Sequence, residues 1–240
     1  MCCESLPRQI NYLIDESVAT GKGANATISY LHDFLQNHGA GEKSGHFHAD
    51  NCGGQNKNNY VLWYFCWRVI HRMHEHVKYS FLVAGHTKFS PDWCFGLMKQ
   101  KLRRTFVSSL FDIVEATDKS TITGVNCAKL VGLHDGSVLV KTYDWASHLT
   151  KYFRKINGVS KFHHFRFSID HPGKVFCRLS ADSPEEEFQM LKNQLELPPI
   201  DLPPQVVPSG LDLERKNYLF REIRQFCRPG TEDFVAPAVT

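Results

Sequence analysis

Ile10, Leu13, Ile14 and Val18 recur at the spacing of one helix face and Gly21 and Gly23 supply a stop, so the pattern predicts a first helix over 8–20. Asn25 or Thr27 caps a second, whose apolar face is Ile28, Leu31, Phe34 and Leu35. Phe47 and Ala49 then alternate with His46, His48 and Asp50, the period of a short strand, and residues 50–59 are almost wholly Asp, Asn, Gly and Gln, which makes a loop. Asn58 or Asn59 caps a third helix, from Tyr60 to about Arg72, apolar nearly all round and therefore buried on more than one side. Val77 to Ala84 reads as a central strand, Gly85 to Lys88 as a polar turn, and Ser90-Pro91-Asp92 as the opening of another helix. Strand, polar loop, buried helix, strand, polar loop and helix in that order predict an α/β sheet with parallel strands.

The remainder is less sharply patterned. Val138 to Trp145 and Phe162 to Ser168 read as strands, and Pro184 to Leu197 as an acidic amphipathic helix. The prolines between 198 and 210 predict a stiff extended linker, followed by a last helix from about Leu211 to Cys227. Residues 1–197 are thus expected as one domain, 198–210 as its linker and 211–240 as a C-terminal helix and tail.

With 42% hydrophobic and 22% charged residues the 240-residue chain has the composition of a globular protein. Its longest apolar stretch, Val61 to Trp67, is far below the ~20 residues of a membrane span, and no secretory or transit pattern opens the sequence, so a nuclear or cytoplasmic location is expected. A net charge of +3 does not identify a nucleic-acid binder; any basic face must be local. The eight cysteines include no Cys-x-x-Cys, which favours free thiols.

In α/β sheets ligands collect at the carboxyl ends of parallel strands, where both polar loops fall. Asp50 and Asp92 are therefore the candidate ligands of a hard divalent cation such as Mg²⁺ or Mn²⁺, although Asp92 in a helix's first turn also has a purely structural value of ~0.3–1 kcal/mol. His86 is placed to orient water or substrate. Gln55, Asn56, Lys57 and Lys88 are candidate contacts to phosphate or base edges, and Lys99, Lys101, Arg103 and Arg104 form a compact basic segment suited to a DNA backbone. Gln55 to Lys57 serve equally as loop and cap, and the basic run as a solvated helix face. Cys66, His71, His74 and His76 fit no standard zinc spacing, so no zinc is expected. The alternation Phe162 to Phe167 suits base stacking, but is explained as readily by a strand with one core face.

The segments His48-Ala49-Asp50-Asn51-Cys52-Gly53-Gly54-Gln55-Asn56-Lys57-Asn58-Asn59 and Gly85-His86-Thr87-Lys88-Phe89-Ser90-Pro91-Asp92-Trp93-Cys94-Phe95-Gly96 resemble an uncharacterised, transposon-associated domain family that is itself similar to ribonuclease H-like transposase cores. Tyr143-Asp144-Trp145 and His163-His164-Phe165-Arg166-Phe167 extend the resemblance over most of the chain. It implies a ribonuclease H-like mixed sheet flanked by helices, with Asp50 and Asp92 at the later acidic positions. The opening strand with its own Asp finds no counterpart, because Asp15 and Glu16 fall on the helix predicted over 8–20. The implied function is metal-dependent cleavage or strand transfer on DNA, weak or lost for want of one carboxylate. The rival expectations are a non-catalytic module binding nucleic acid or protein, and a fragment that does not fold alone.

Overall fold

The computed structural model describes residues 1–82 and 90–238. Along the chain run β1 (Cys2–Cys3), β2 (Arg8–Leu13), α1 (Ala24–Asn37), β3 (Ser44–Ala49), α2 (Asn59–Ile70), β4 (His76–Phe81), α3 (Ser90–Leu102), α4 (Leu110–Asp118), β5 (Asn126–Leu130) and α5 (Trp145–Thr150). These are followed by β6 (His164–Ser168), β7 (Lys174–Arg178), β8 (Glu186–Gln189), α6 (Leu213–Tyr218) and α7 (Glu232–Val235).

The chain divides into two compact units, each assembled from separated segments. The first, residues 1–20, 88–141 and 207–240, holds a three-stranded sheet of order β1-β2-β5, with β2 parallel to β5. The second, residues 21–87 and 142–206, holds a five-stranded sheet of order β3-β4-β6-β7-β8, parallel between β3 and β4 and antiparallel thereafter. The fold is α/β with two mixed sheets flanked by helices, the general class that the resemblance implies; the parallel pairing expected from the pattern of loops and helices is confined to β3 with β4 and β2 with β5.

In the second unit α2 is the centre of the core, as its all-round apolar sequence requires. Asn58 caps it by accepting from the Tyr60 and Val61 N–H groups, and every residue from Val61 to Val69 is buried. Phe65 packs on Phe47, Tyr79 and Phe167 of the sheet, while Tyr64 and Trp67 pack on Trp145 of α5. Each such aromatic removes about 150–250 Å² from water, so this cluster dominates the unit's hydrophobic stabilisation. Asp144 starts α5, accepting from Ser147 N–H at 3.2 Å and from the Asn25 amide of α1 at 3.0 Å.

Several sequence expectations are corrected. Residues 8–13 form β2 and not a helix, because Gln9 and Asn11 are buried among polar partners. The Gln9 amide donates to Asn11 Oδ1 at 3.0 Å, and β2 pairs along its length with β5, more than a hundred residues away. The spacing of Ile10, Leu13 and Ile14 cannot register so distant a partner. Residues 186–189 of the predicted acidic helix are β8, held by β7 with Phe188 opposite Val175. In place of a strand over 138–145 there are isolated bridges at Val138 and Tyr143 before α5 begins. The proline-rich stretch is extended and is fixed to the second unit up to Val206. Trp67 Nε1 donates to the Pro199 carbonyl at 2.8 Å and Val206 N–H to that of Thr142.

Candidate functional site

The loop 50–59 springs from the carboxyl end of β3 and closes on itself. The Cys52 carbonyl accepts from the N–H groups of Gln55, Asn56 and Lys57, a tight turn that the run of small and amide residues permits. Asp50 is exposed, and its Oδ1 accepts from Cys52 N–H at 3.2 Å and Asn56 Nδ2 at 2.7 Å. Asn51 donates to the Leu82 carbonyl, tying the loop to the end of β4. Lys57 is only 8% exposed: its ammonium donates to Asn51 Oδ1 at 2.9 Å, lies 5.1 Å from the centre of the Phe81 ring, and has its pKa lowered by burial. Asn58 adds donations to the carbonyls of Gly53 and Gln55, and Asn59 exchanges two hydrogen bonds with the Ile156 backbone.

Much of the polarity of this segment therefore builds the loop. Lys57 and Asn56, read from sequence as nucleic-acid contacts, each donate one side-chain hydrogen bond inside it, whereas Asp50 stays at the surface and Gln55 half-buried.

Asp92 lies in the first turn of α3, exposed, beside the positive end of the helix. Lys99, Arg103 and Arg104 are exposed and Lys101 half-buried on and after the same helix, which also holds Trp93, 59% exposed. Asp50 belongs to the second unit and Asp92 to the first, so each is described where it stands. His86 and Lys88 lie outside the described residues. Among the described residues no group of three or more His, Cys, Asp or Glu side chains is arranged to hold a metal ion. Cys66 is sealed in the core, where burial pushes its thiol up to about 12.

Three features escaped sequence reasoning. Asp15 does follow a strand, standing two residues beyond β2, where its Oδ1 accepts from the Ser17 N–H at 2.9 Å and hydroxyl at 2.6 Å. The expectation that no acid follows an opening strand fails with the helix it rested on. A cleft of about 330 Å³ in the first unit is lined by Asp15, Ser109, His134 and Phe234.

The second feature is a buried cation. Arg68 of α2 is 4% exposed and forms no ion pair among the described residues. Its Nε donates to His74 Nδ1 at 3.1 Å and its Nη1 to the Tyr64 hydroxyl at 3.1 Å, which also meets His32 Nδ1 at 3.1 Å. Burial first, then the charge of Arg68, lower both His32 and His74 to about 4. The third is the outer face of the five-stranded sheet, where His46 Nε2 and His164 Nδ1 both meet the Ser80 hydroxyl at 2.9 Å. Alternation in β3 and β6 was legible; the meeting of their polar halves was not.

Two mixed sheets flanked by helices, one of them with a polar loop at the end of its parallel pair, define an α/β protein. The chain belongs to the family described as Domain of unknown function (DUF7869), matched over residues 9–183, a span that draws on both units. No curated protein and no solved structure matches it. No described helix is long and apolar enough to cross a membrane.

Proposed function

We propose that the chain is a transposon-derived, ribonuclease H-like domain whose ancestral chemistry is metal-dependent cleavage or strand transfer on DNA, with that catalysis weak or lost in this chain. The observation that carries the reading is Asp50, exposed at the surface directly past the carboxyl end of a strand that pairs in parallel with its neighbour. On this reading Asp50 of the second unit and Asp92 of the first are each a candidate metal ligand, Mg²⁺ or Mn²⁺ the candidate ion, His86 and Lys88, outside the described residues, the candidate groups for water and phosphate, and Lys99, Lys101, Arg103 and Arg104 the grip on the DNA backbone. The described donors fall short of what two-metal phosphodiester chemistry needs. One Asp50 oxygen already accepts two hydrogen bonds, and no third His, Cys or acid joins it among the described residues. No catalytic step is therefore derived through a metal, and weak or absent turnover is the expected state.

The same occupied oxygen favours a second reading, a non-catalytic module that binds nucleic acid through its basic surface. Addition of Mn²⁺ followed by NMR line broadening, together with nicking of supercoiled plasmid, separates the two. The first expects broadening at the Asp50 loop that Asp50→Asn removes, with nicking near background. DNA binding that is salt-sensitive and indifferent to Mn²⁺, with no broadening at Asp50, leaves only the second.

A further inference from the structure

Strands β3, β4, β6 and β7 contain no acidic residue at all, while they carry Lys78, Arg166, Lys174 and Arg178 and four histidines. Their inward residues, among them Phe47, Val77, Tyr79, Phe165, Phe167 and Val175, belong to the core, so the basic residues share the opposite face. The register sets them in two rows across the sheet. His46 stands opposite Lys78, Lys78 opposite Arg166 and Arg166 opposite Phe176; His48 stands opposite Ser80, Ser80 opposite His164 and His164 opposite Arg178.

Like charges directly opposite one another cost stability, and a sheet selected for folding alone would alternate signs there. The pairing of Lys78 with Arg166 does the reverse. Acids meet this face from β8, from the residue before it, and from Asp170 just past β6, whose Oδ2 accepts from the Ser168 hydroxyl at 2.8 Å. Glu185 binds Arg166 at 2.6 Å and Arg178 at 3.4 Å, and Glu187 binds Lys174, which relieves the β7 end. Towards β3 Lys78 has no ion pair among the described residues, and it is exposed together with His46 and His48.

The face also presents flat rings. The exposed imidazoles of His46 and His48 lie 4.2 Å apart, and the Arg166 guanidinium, oriented by Glu185, covers Phe176 at 4.1 Å. Cations beside open π-surfaces suit unpaired bases, which offer phosphate and a stacking face together; a duplex keeps its base faces inside its own stack. We propose that the outer face of the five-stranded sheet, centred on His46, His48 and Lys78, binds single-stranded nucleic acid. The proposal rests on the nucleic-acid side of the function given above and adds to the α3 segment a second surface, one for unpaired strands.

The test is fluorescence anisotropy of a labelled oligothymidylate with the full chain at low salt. The variant His46→Gln/His48→Gln/Lys78→Ala is expected to weaken binding about tenfold or more, the loss of one good base stack and one phosphate contact, with its melting temperature no lower than the parent's, since Lys78 no longer faces Arg166. Replacing the exposed Lys216 and Arg221 by Gln serves as the comparison and is expected to leave the oligothymidylate affinity within a few-fold. The proposal is overturned if the sheet variant binds like the parent, if this comparison variant loses binding as far as the sheet variant does, if duplex is preferred to single strand, or if the parent does not bind. None of these touches the Mn²⁺ response of Asp50, so the metal reading and the sheet-face reading fail separately.

Discussion

Acidification should unfold this protein through the pair of histidines around Arg68. Both have folded pKa values of about 4 against an ordinary 6.5, because burial and the neighbouring guanidinium oppose a second positive charge. The neutral forms are those the fold accepts, so between pH 6.5 and about 4 the unfolded chain binds more protons than the folded one, and stability falls as pH falls through that window. A pKa unit corresponds to about 1.4 kcal/mol, which sets a ceiling of about 3 to 4 kcal/mol for each histidine; residual hydration of the site brings this nearer 2. Together that is about 4 kcal/mol, a large part of the 5–15 kcal/mol typical of a folded domain. Urea unfolding followed by tryptophan fluorescence reads it directly, since Trp67 and Trp145 have His32 within 6.1 and 5.5 Å, ring centre to centre. The double variant His32→Gln/His74→Gln keeps an acceptor for Arg68 and removes both titrations, so its loss of stability across the window should be smaller by most of that 4 kcal/mol. His46, His71, His148 and His164 are also lowered and leave a residual slope in both proteins. Equal slopes in parent and double variant would refute the account of the buried cation.

Two further substitutions probe the scaffold of the loop and the sheet. Asn58→Ala removes the cap of α2 and two ties to the 50–59 loop, and should cost about 1–2 kcal/mol in urea unfolding, with Asn58→Asp milder because the cap acceptor remains. Gly173 has φ +82° and a Cβ there would stand 2.8 Å from that of Leu191, whereas Gly230, at φ +88°, has open space around it; Gly173→Ala should therefore lower the melting temperature by clearly more than Gly230→Ala.

The sequence was most legible where a local pattern coincided with burial. Helix α2, with its Asn58 cap and uniformly apolar surface, could scarcely be anything else, and β3 and β6 alternate in the period their single buried face demands. It misled where the deciding partner was remote. The Ile10–Ile14 spacing suits a helix on its own, but β5 supplies a remote backbone ladder, and its Asn126 offers the buried Asn11 amide a carboxamide oxygen at 3.4 Å. The acidic run at 186–189 likewise reads as one face of a helix until β7 supplies a ladder. Around the candidate site, what the sequence made legible was a polar loop past β3 with Asp50 at its start, since Asp, Asn and Gly at a strand's end are local turn chemistry.

What composition and periodicity determined, then, was which segments bury themselves and which remain polar. Tertiary structure alone decided that Lys57 is buried and donates to Asn51 of its own loop, that Arg68 lies in the core between two neutral histidines, and that four strands unite their basic residues on one face. Each depends on which strand or helix lies next to which, a choice fixed by the free energy of the packed whole and not by the neighbours of any residue along the chain.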